Sequence, residues 1–246
     1  MTETEKRAAI VKYFKPFPKW AIWSILIGLG VAILGSSEST MLIVGIALIA
    51  IGAFGIYSGT GGKPTDAQME DFLKEDLAMI IKQMLKKIGM DESELVGESQ
   101  YVYGPGFRTG TETEAAKVGE DGVLRYTPIK CASIGFGANQ LLYYECLLDM
   151  TTGKMLNEGT DEFFYKDVVS ASTKTESYSF QWKGRQVQFN EAEKFTLTTT
   201  GGTSFTVFLK DPKLAEIMGV GSANIPTTNA EKAIQVIRKM LREKKA

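Results

Sequence analysis

Two uncharged apolar runs dominate the N-terminal part of the chain. They cover residues 20–35, WAIWSILIGLGVAILG, and residues 41–58, MLIVGIALIAIGAFGIYS. A membrane-spanning helix needs about 20 apolar residues, with a lower limit of about 17. The second run reaches this length, and the first reaches it only when Phe17, Pro18 and Ser36 are included. The pattern predicts two transmembrane helices.

The polar stretch SSEST, residues 36–40, separates the two runs. Helices joined by so short a connection run antiparallel, so the stretch is predicted to be the turn of a transmembrane hairpin. Glu38 is then ionised in water at the tip of this turn. A cleaved signal peptide and a soluble helical hairpin are the alternatives.

Basic residues flank the outer ends of the hairpin and are absent from its turn. Because lysine and arginine concentrate on the cytoplasmic side, we expect a multi-pass protein of the inner (plasma) membrane with both termini in the cytoplasm. Aromatic rings near the same ends favour the lipid–water interface. The residues predicted to contact the membrane surface are Lys12, Lys15, Lys19, Trp20, Trp23 and Tyr57.

Small residues recur along both apolar runs, where they allow helix backbones to approach closely in lipid. They can pack the two helices against each other, which we favour, or assemble several hairpins into a homo-oligomer. The predicted helix-packing residues are Gly28, Ala32, Gly35, Gly45, Gly52 and Gly55.

A linker and an amphipathic helix follow over residues 59–97. The stretch GTGGKPT lacks the first glycine of a phosphate-binding loop and carries Pro64 after its lysine, so we interpret it as a flexible linker. Thr65 and Gln68 form a capping box, and Gly89 ends the helix. Its apolar stripe is predicted to pack on the chain's own domain, with a second copy or the membrane surface as alternatives. The stripe contains Leu73, Leu77, Ile80, Ile81, Met84, Leu85 and Ile88.

From about residue 98 the apolar period becomes that of β-strands. We predict strands in SQYVYGPGF, LRYTPIKCASIGF, QLLYYECLLDM, DEFFYKDVVSASTKT, YSFQW, RQVQF, KFTLTTT and TSFTVFLK. Residues 109–122 are polar and predict an exposed loop. The turns GAN, TTGK, KG and GG are predicted to place glycine where a positive φ is needed. Short strands at this spacing predict an antiparallel sandwich or small barrel.

The alternation also predicts which strand residues face the core. Phe163, Tyr165 and Val169 are expected on one face. The last hairpin is expected to supply Phe195, Leu197, Phe205, Val207 and Leu209.

Two helices are predicted after the last strand. Asp211 and Pro212 begin a short one that ends at Gly219. Thr228 and Glu231 cap a longer amphipathic helix, which is expected to plug the open end of a barrel. Its apolar face contains Ala230, Ala233, Ile234, Ile237, Met240 and Leu241.

Six or seven antiparallel strands followed by a C-terminal helix resemble the pleckstrin-homology superfold. The stretch EFFYKDVVSAST is similar to a Y-x-D-V/I strand of bacterial PH-like and GRAM-like domains, which often follow a pair of membrane helices. The resemblance covers residues 98–246. It implies a PH-like domain, but Lys154 stands alone where lipid-binding members carry clustered basic residues, so no phosphoinositide site is carried over.

The residue types present exclude several kinds of chemistry. The chain has no histidine, so Ser-His-Asp, Cys-His and His-based metal chemistry are absent. Its two cysteines, Cys131 and Cys146, are too few for a disulfide framework or a zinc site, and are expected as thiols on neighbouring strands. The net charge of −1 gives no global field for nucleic acid. Carboxylates such as Glu145, Asp161, Glu162 and Asp167 show no spacing that singles out a catalytic pair.

We therefore predict an α+β protein: a basic arm (1–19), a transmembrane hairpin (20–58), a connector (59–97) and a cytoplasmic PH-like β domain (98–246). The predicted function is a non-catalytic, membrane-anchored interaction or scaffold module. The alternative is an oligomeric effector or channel-like protein assembled through the small faces of the hairpin. The expected partners are the bilayer, an unidentified protein and further copies of the chain; no cofactor, small-molecule substrate or nucleic acid is indicated. The basic tail RKMLREKKA is either solvated or close to anionic lipid.

Overall fold

The protein divides into two compact units, Met1–Thr65 and Asp66–Ala246. The computed structural model describes residues 1–35, 38–106, 115–182, 185–202, 204–210 and 230–245. The first unit is helical, and the second combines antiparallel sheets with helices. The predicted α+β class and the C-terminal helix are therefore confirmed.

The first unit contains three helices: α1 (Glu3–Phe14), α2 (Lys19–Leu34) and α3 (Ser39–Thr60). A capping box between Thr2 and Glu5 begins α1. Between α1 and α2 lie Pro16 and Pro18, which cannot donate a backbone hydrogen bond, and the chain bends there by 61°. Helices α2 and α3 pack side by side as an antiparallel pair.

The second unit begins with α4 (Asp66–Ile88) and a short 3-10 helix (Glu92–Glu94). Gly89 ends α4 as predicted, because it takes a left-handed φ of 78° and donates its backbone N–H to Leu85. The strands are β1 (Gln100–Pro105), β2 (Ala115–Val118), β3 (Leu124–Thr127), β4 (Ile129–Phe136), β5 (Gln140–Asp149), β6 (Lys154–Phe164), β7 (Val168–Trp182), β8 (Arg185–Thr199) and β9 (Ser204–Lys210). Helix α5 (Ala230–Lys245) is the last described element.

The strands form separate antiparallel sheets, so of the two predicted alternatives, a sandwich or a small barrel, the described residues do not form a closed barrel. One sheet has the order β1-β4-β5-β6, another has the order β7-β8-β9, and β2 pairs with β3. A second 3-10 helix, Tyr165–Asp167, lies between β6 and β7 and carries the chain from one sheet to the other. Strand β9 comes close to β1, yet no ladder joins them within the described residues.

Several strand predictions need correction. Ala115–Val118 were placed in an exposed loop but form β2, which pairs with β3; residues 107–114 of that region lie outside the described part. The predicted strand LRYTPIKCASIGF is divided at Pro128, which has no N–H for a ladder. Gly153 and Gly202 take the expected positive φ, but Gly137 does not. Its small size matters instead, because a β-carbon there would lie 3.3 Å from the carbonyl oxygen of Gln140.

The 3-10 helix after β6 also changes which residues face inward. Phe163 and Tyr165 are buried as predicted. Val169 was predicted to share their face but is 55% exposed, whereas Val168 is 3% exposed. The prediction was wrong because it assumed an unbroken strand of period two, and the 3-10 turn shifts the alternation by one residue.

The main core lies on the inner face of the four-stranded sheet, where α5 and the second sheet cover it. Helix α5 contributes Ala233, Ile234, Ile237 and Leu241, as its apolar pattern predicted. Phe195 and Leu197 are buried as predicted, while the side chains of Phe205, Val207 and Leu209 lie outside the described part of the structure. The predicted helix from Asp211 to Gly219, the cap at Thr228 and the KG turn are also outside the described residues.

Helix α4 covers the outer face of the same sheet, contacting β4, β5 and β6. This confirms the expectation that its apolar stripe packs on the chain's own domain. The residues buried on α4 are Met69, Phe72, Asp76, Leu77, Ile80, Met84 and Leu85. Leu73, Ile81 and Ile88 are only partly buried, so the contact face is rotated towards Met69 and Phe72 relative to the prediction.

A buried arginine fastens the start of α4 to the β2–β3 hairpin. Arg125 is 8% exposed, and its guanidinium donates to both carboxylate oxygens of Asp121, at 3.0 and 2.7 Å. It also pairs with Glu70 at 2.9 Å and with Asp66 at 3.6 Å. The hydrogen bonds from Arg125 lower the pKa of Asp121 to about 2.

We predict that the Asp121–Arg125 pair stabilises the fold above pH 4 and is lost as the pH falls towards 2. The folded pKa of Asp121 lies below its ordinary value of about 3.9, so the stabilisation is complete above the ordinary value and disappears through the folded one. Asp121→Asn should lower the thermal midpoint at pH 6, and the difference from the parent should shrink as the pH approaches 2.

An NMR carboxyl titration of the full chain in detergent measures the pKa directly. Arg125→Lys is the matched variant, because lysine keeps the charge but cannot donate in the two-pronged geometry of arginine. Its Asp121 pKa should rise towards the ordinary value; an unchanged low pKa would contradict this cause.

Candidate membrane site

Glycines bring the backbones of α2 and α3 into direct contact. A β-carbon added at Gly28 would lie 2.7 Å from the carbonyl oxygen of Gly45, and one added at Gly45 would lie equally close to that of Gly28. At Gly52 the same atom would lie 2.6 Å from the carbonyl oxygen of Ala21. No side chain larger than hydrogen fits at these positions unless the helices move apart.

The remaining small residues line the same seam. Ala32 contacts Gly45, Gly55 lies under the ring of Trp20, and Gly35 lies against the side chain of Met41. The structure thus brings together Gly28, Ala32, Gly35, Gly45, Gly52 and Gly55 between the two helices of one hairpin.

The large apolar side chains of both helices point outward. Within α2 only Ala21 and Gly28 are buried, and within α3 only Gly45, Gly52 and Gly55. Ile33 is 71% exposed, Leu34 89% and Phe54 70%. This inverts the arrangement of a water-soluble protein, in which leucine and isoleucine are buried.

Three hydroxyl groups of the apolar helices, those of Ser24, Ser58 and Thr60, have backbone partners. The hydroxyl of Ser24 donates across the pair to the carbonyl oxygen of Leu48 at 2.8 Å. Ser58 and Thr60 donate to carbonyl oxygens of their own helix, those of Gly55 and Ile56. Polar groups in a hydrocarbon environment need such internal partners, because no water is present to replace them.

Basic and aromatic residues gather where α2 begins and α3 ends. Lys63 donates to the backbone carbonyl of Lys15 at 2.7 Å, and Pro18 packs on Gly59. This arrangement places all the predicted surface-contact residues in this part of the first unit. They are Lys12, Lys15, Lys19, Trp20, Trp23 and Tyr57, and all are exposed.

Two contributors to this end were not among the predicted site residues. Lys63 was used only to assign orientation, and the Pro18–Gly59 contact was not anticipated. The sequence alone could not predict this contact, because it depends on which residues of the two helices face each other.

The opposite end carries no lysine or arginine among its described residues. Glu38 immediately precedes α3 with an extended backbone, and its side chain makes no capping hydrogen bond. Ser36 and Ser37 of the predicted turn lie outside the described residues.

Among the described residues, one helix is long and apolar enough by itself to cross a membrane. This is α3, with 22 residues, a mean hydropathy of 2.3 and 17% of its apolar window buried. Helix α2 has 16 residues, a length of about 24 Å against a hydrocarbon core of about 30 Å. It meets the length test only together with α1, across the 61° bend. The second predicted span is therefore supported by α3, whereas the first, residues 20–35, is not confirmed as a span of its own.

In the second unit, polar groups serve mainly to hold elements together. Glu158 accepts from the hydroxyl of Tyr144 at 2.7 Å and from the amide of Gln83 at 3.1 Å, and pairs with Lys87 at 3.4 Å. The hydrogen bond from Tyr144 lowers the pKa of Glu158. These contacts tie α4 to β5 and β6.

The structure places the cysteines and the carboxylates considered for catalysis at several positions in the second unit. Cys131 and Cys146 are buried, unbridged and directly opposite each other on β4 and β5, and burial raises the pKa of the Cys131 thiol. Glu145 pairs with Lys130. Asp161, Glu162 and Asp167 line an open cleft of about 370 Å³ beside Thr199 and Thr200. Across the described residues, no cysteine or acidic side chains are grouped to hold a metal ion.

No family model matches the chain, and no match was found among curated proteins or solved structures. The PH-like resemblance consequently stays a prediction, and the functional argument depends on the geometry of the site.

We predict that Gly28→Leu separates α2 from α3, whereas Gly30→Leu is tolerated. A β-carbon at Gly28 would meet the Gly45 backbone, but one at Gly30 has no atom within 4 Å. Overpacking of this kind costs about 1–3 kcal/mol. The two variants are matched in helix, residue type and depth, so equal thermal midpoints in detergent would contradict the seam.

Proposed function

We propose that this protein is a non-catalytic interaction module anchored in the plasma membrane by the α2–α3 hairpin, with its β unit on the cytoplasmic side. The inverted burial of the hairpin is the observation that carries this proposal. Glycines are buried, while isoleucines, leucines and phenylalanine face outward along both helices. A lipid environment makes such a surface favourable.

The limited burial of α3 argues against a core helix of a soluble protein. Such a helix has the same length and composition but is covered by other elements, whereas 17% of the apolar window of α3 is buried. The short α2 adapts to the bilayer by local thinning or by extending its flanking lysines towards the interface. Lys15, Lys19, Trp20 and Tyr57 at one end supply the basic and aromatic residues expected at a cytoplasmic membrane surface.

The architecture of the β unit supports an interaction role. A four-stranded and a three-stranded antiparallel sheet are followed by a C-terminal helix that packs on their common core. Antiparallel strands followed by a C-terminal helix support the PH-like resemblance, and fold alone does not assign a partner. Arg125 and Glu158 serve as tethers between elements of this unit.

The alternative, an effector or channel-like oligomer assembled through small faces, receives less support. Gly28, Gly45 and Gly52 already contact the partner helix of their own hairpin. Assembly through those faces would require the hairpin to open first.

We predict that lysine at two lipid-facing positions prevents membrane integration. Ile27 and Ile51 are exposed on α2 and α3, and a lysine near the centre of a spanning helix costs about 2.5–3.5 kcal/mol. The Ile27→Lys/Ile51→Lys chain should move from the carbonate-resistant membrane fraction to the soluble or aggregated fraction. Ile27→Leu/Ile51→Leu should remain in the membrane.

Orientation is tested by protease added outside intact cells or spheroplasts. The C-terminal unit should be spared until the membrane is permeabilised. Digestion of that unit in intact cells would overturn the cytoplasmic placement, and a parent chain extracted by carbonate would overturn the anchor itself.

A further inference from the structure

The two cysteines of the chain face each other across neighbouring strands. Cys131 lies directly opposite Cys146 in the β4–β5 ladder, and both are free thiols. Residues directly opposite in an antiparallel pair have α-carbons about 4.5–5.5 Å apart. A disulfide joins residues whose α-carbons are about 4.4–6.8 Å apart. The backbone therefore already holds this pair at the separation that a disulfide needs.

The alternation of β4 directs the pair towards the face of the sheet that α4 covers. Ala132 and Ile134 belong to the inner core, so the side chain of Cys131 points to the outer face. Asp76 of α4 acts electrostatically on Cys131 from this side. Cys131 is 0% exposed and Cys146 is 2% exposed. Such burial disfavours reaction with a bulky thiol or disulfide and favours a small reagent.

The two thiols differ in their electrostatic environment. The Cys131 thiol lies between two acceptors, the Cys146 sulfur and the carbonyl oxygen of Ile129 at 3.9 Å. Burial and the interaction with Cys146 raise the pKa of Cys131, whereas the hydrogen bond from Cys131 lowers the pKa of Cys146. Because the thiolate is the nucleophilic form, Cys146 is the better nucleophile of the pair.

A buried hydroxyl on the same face adds a polar group near the pair. Ser133 follows Cys131 by two residues on β4, so the two side chains share a face. Ser133 is 0% exposed, and its hydroxyl oxygen has no hydrogen-bond partner among the described residues. A buried hydroxyl without a partner is unfavourable, so this region suits a small polar molecule that can form hydrogen bonds.

We propose that Cys131 and Cys146 form a two-electron redox site, in which a small hydroperoxide oxidises the two thiols to a cross-strand disulfide. The inference goes beyond the proposed function and does not depend on it. In a reducing cytoplasm the two thiols are the resting state, and the disulfide is transient and senses the oxidant.

The reaction with hydrogen peroxide balances in two steps. The thiolate of Cys146 attacks one peroxide oxygen, the O–O bond breaks, and the leaving hydroxide takes up the proton that the thiol released, which gives a sulfenic acid and water. The sulfur of Cys131 then attacks the sulfur of Cys146, so that the S–S bond forms and the S–O bond breaks. The departing hydroxide takes the proton of Cys131 and leaves as water. The two thiols together lose two electrons, and the peroxide is reduced to two waters.

Oxidation of the unsubstituted full chain in detergent tests the proposal. Hydrogen peroxide is added to the folded protein, remaining thiols are alkylated, and the peptides are mapped by mass spectrometry. We expect one linked peptide pair that contains Cys131 and Cys146, an intact mass lower by two hydrogens, and full reversal by a dithiol reductant. Thiols that stay free, a disulfide between two chains, or a link that forms only in denaturant would overturn the proposal.

Two matched variants test the separate roles of the thiols. In Cys131→Ala the second step is blocked, so a sulfenic acid at Cys146 should persist and react with dimedone. In Cys146→Ala the attacking thiol is lost, so Cys131 should remain a thiol and dimedone labelling should be lost. Equal labelling of the two variants would contradict the assigned roles. Labelling of the parent as strong as that of Cys131→Ala would show that no disulfide closes.

The size of the oxidant provides a test that needs no variant. Under the same conditions, oxidised glutathione should leave both thiols reduced, because it is too large to reach a pair buried under α4. A mixed disulfide with glutathione at either cysteine, formed as fast as the internal disulfide forms with peroxide, would contradict a site for small hydroperoxides.

Discussion

The contact between the Gly28 and Gly45 backbones is the interaction on which the first unit depends. Two helices can approach this closely only where a hydrogen atom replaces a side chain, and both glycines meet the other's carbonyl oxygen. The seam is filled mainly by glycine and alanine, with Ile49 packed on Gly28 and Ile25 on Gly52, so most of the other isoleucine and leucine side chains point outward. The same constraint therefore creates both the hairpin and its apolar surface.

The apolar surface of the hairpin links the packing of α2 on α3 to the proposed membrane anchoring. In water, outward-facing leucine and isoleucine would be a liability for aggregation, whereas in lipid they match their surroundings. The hydroxyl groups of Ser24, Ser58 and Thr60 donate to backbone carbonyls. The basic and aromatic residues lie at the end where the chain enters and leaves the pair. The helix packing, the internal hydrogen bonds of the hydroxyl groups and the basic and aromatic residues at one end thus all favour a lipid environment.

The second unit is organised around a sheet that is covered on both faces. Helix α4 lies on the outer face and α5 helps to cover the inner one. Arg125 and Glu158 fasten α4 at two places, to the β2–β3 hairpin and to β5 and β6 respectively.

The apolar pattern by itself determined most of the helices and strands and several of their ends, but it predicted neither α1 nor β2. Gly89 ends α4 because only a residue tolerant of positive φ suits that position, and α5 buries the face that its period predicted. Long-range pairing decided the rest. Because of the 3-10 turn at Tyr165, Val168 is buried in place of Val169. Residues 115–118 form a strand because they pair with β3. Local patterns encode propensity and period, whereas register, sheet separation and the choice of buried neighbours depend on contacts between residues distant in the chain.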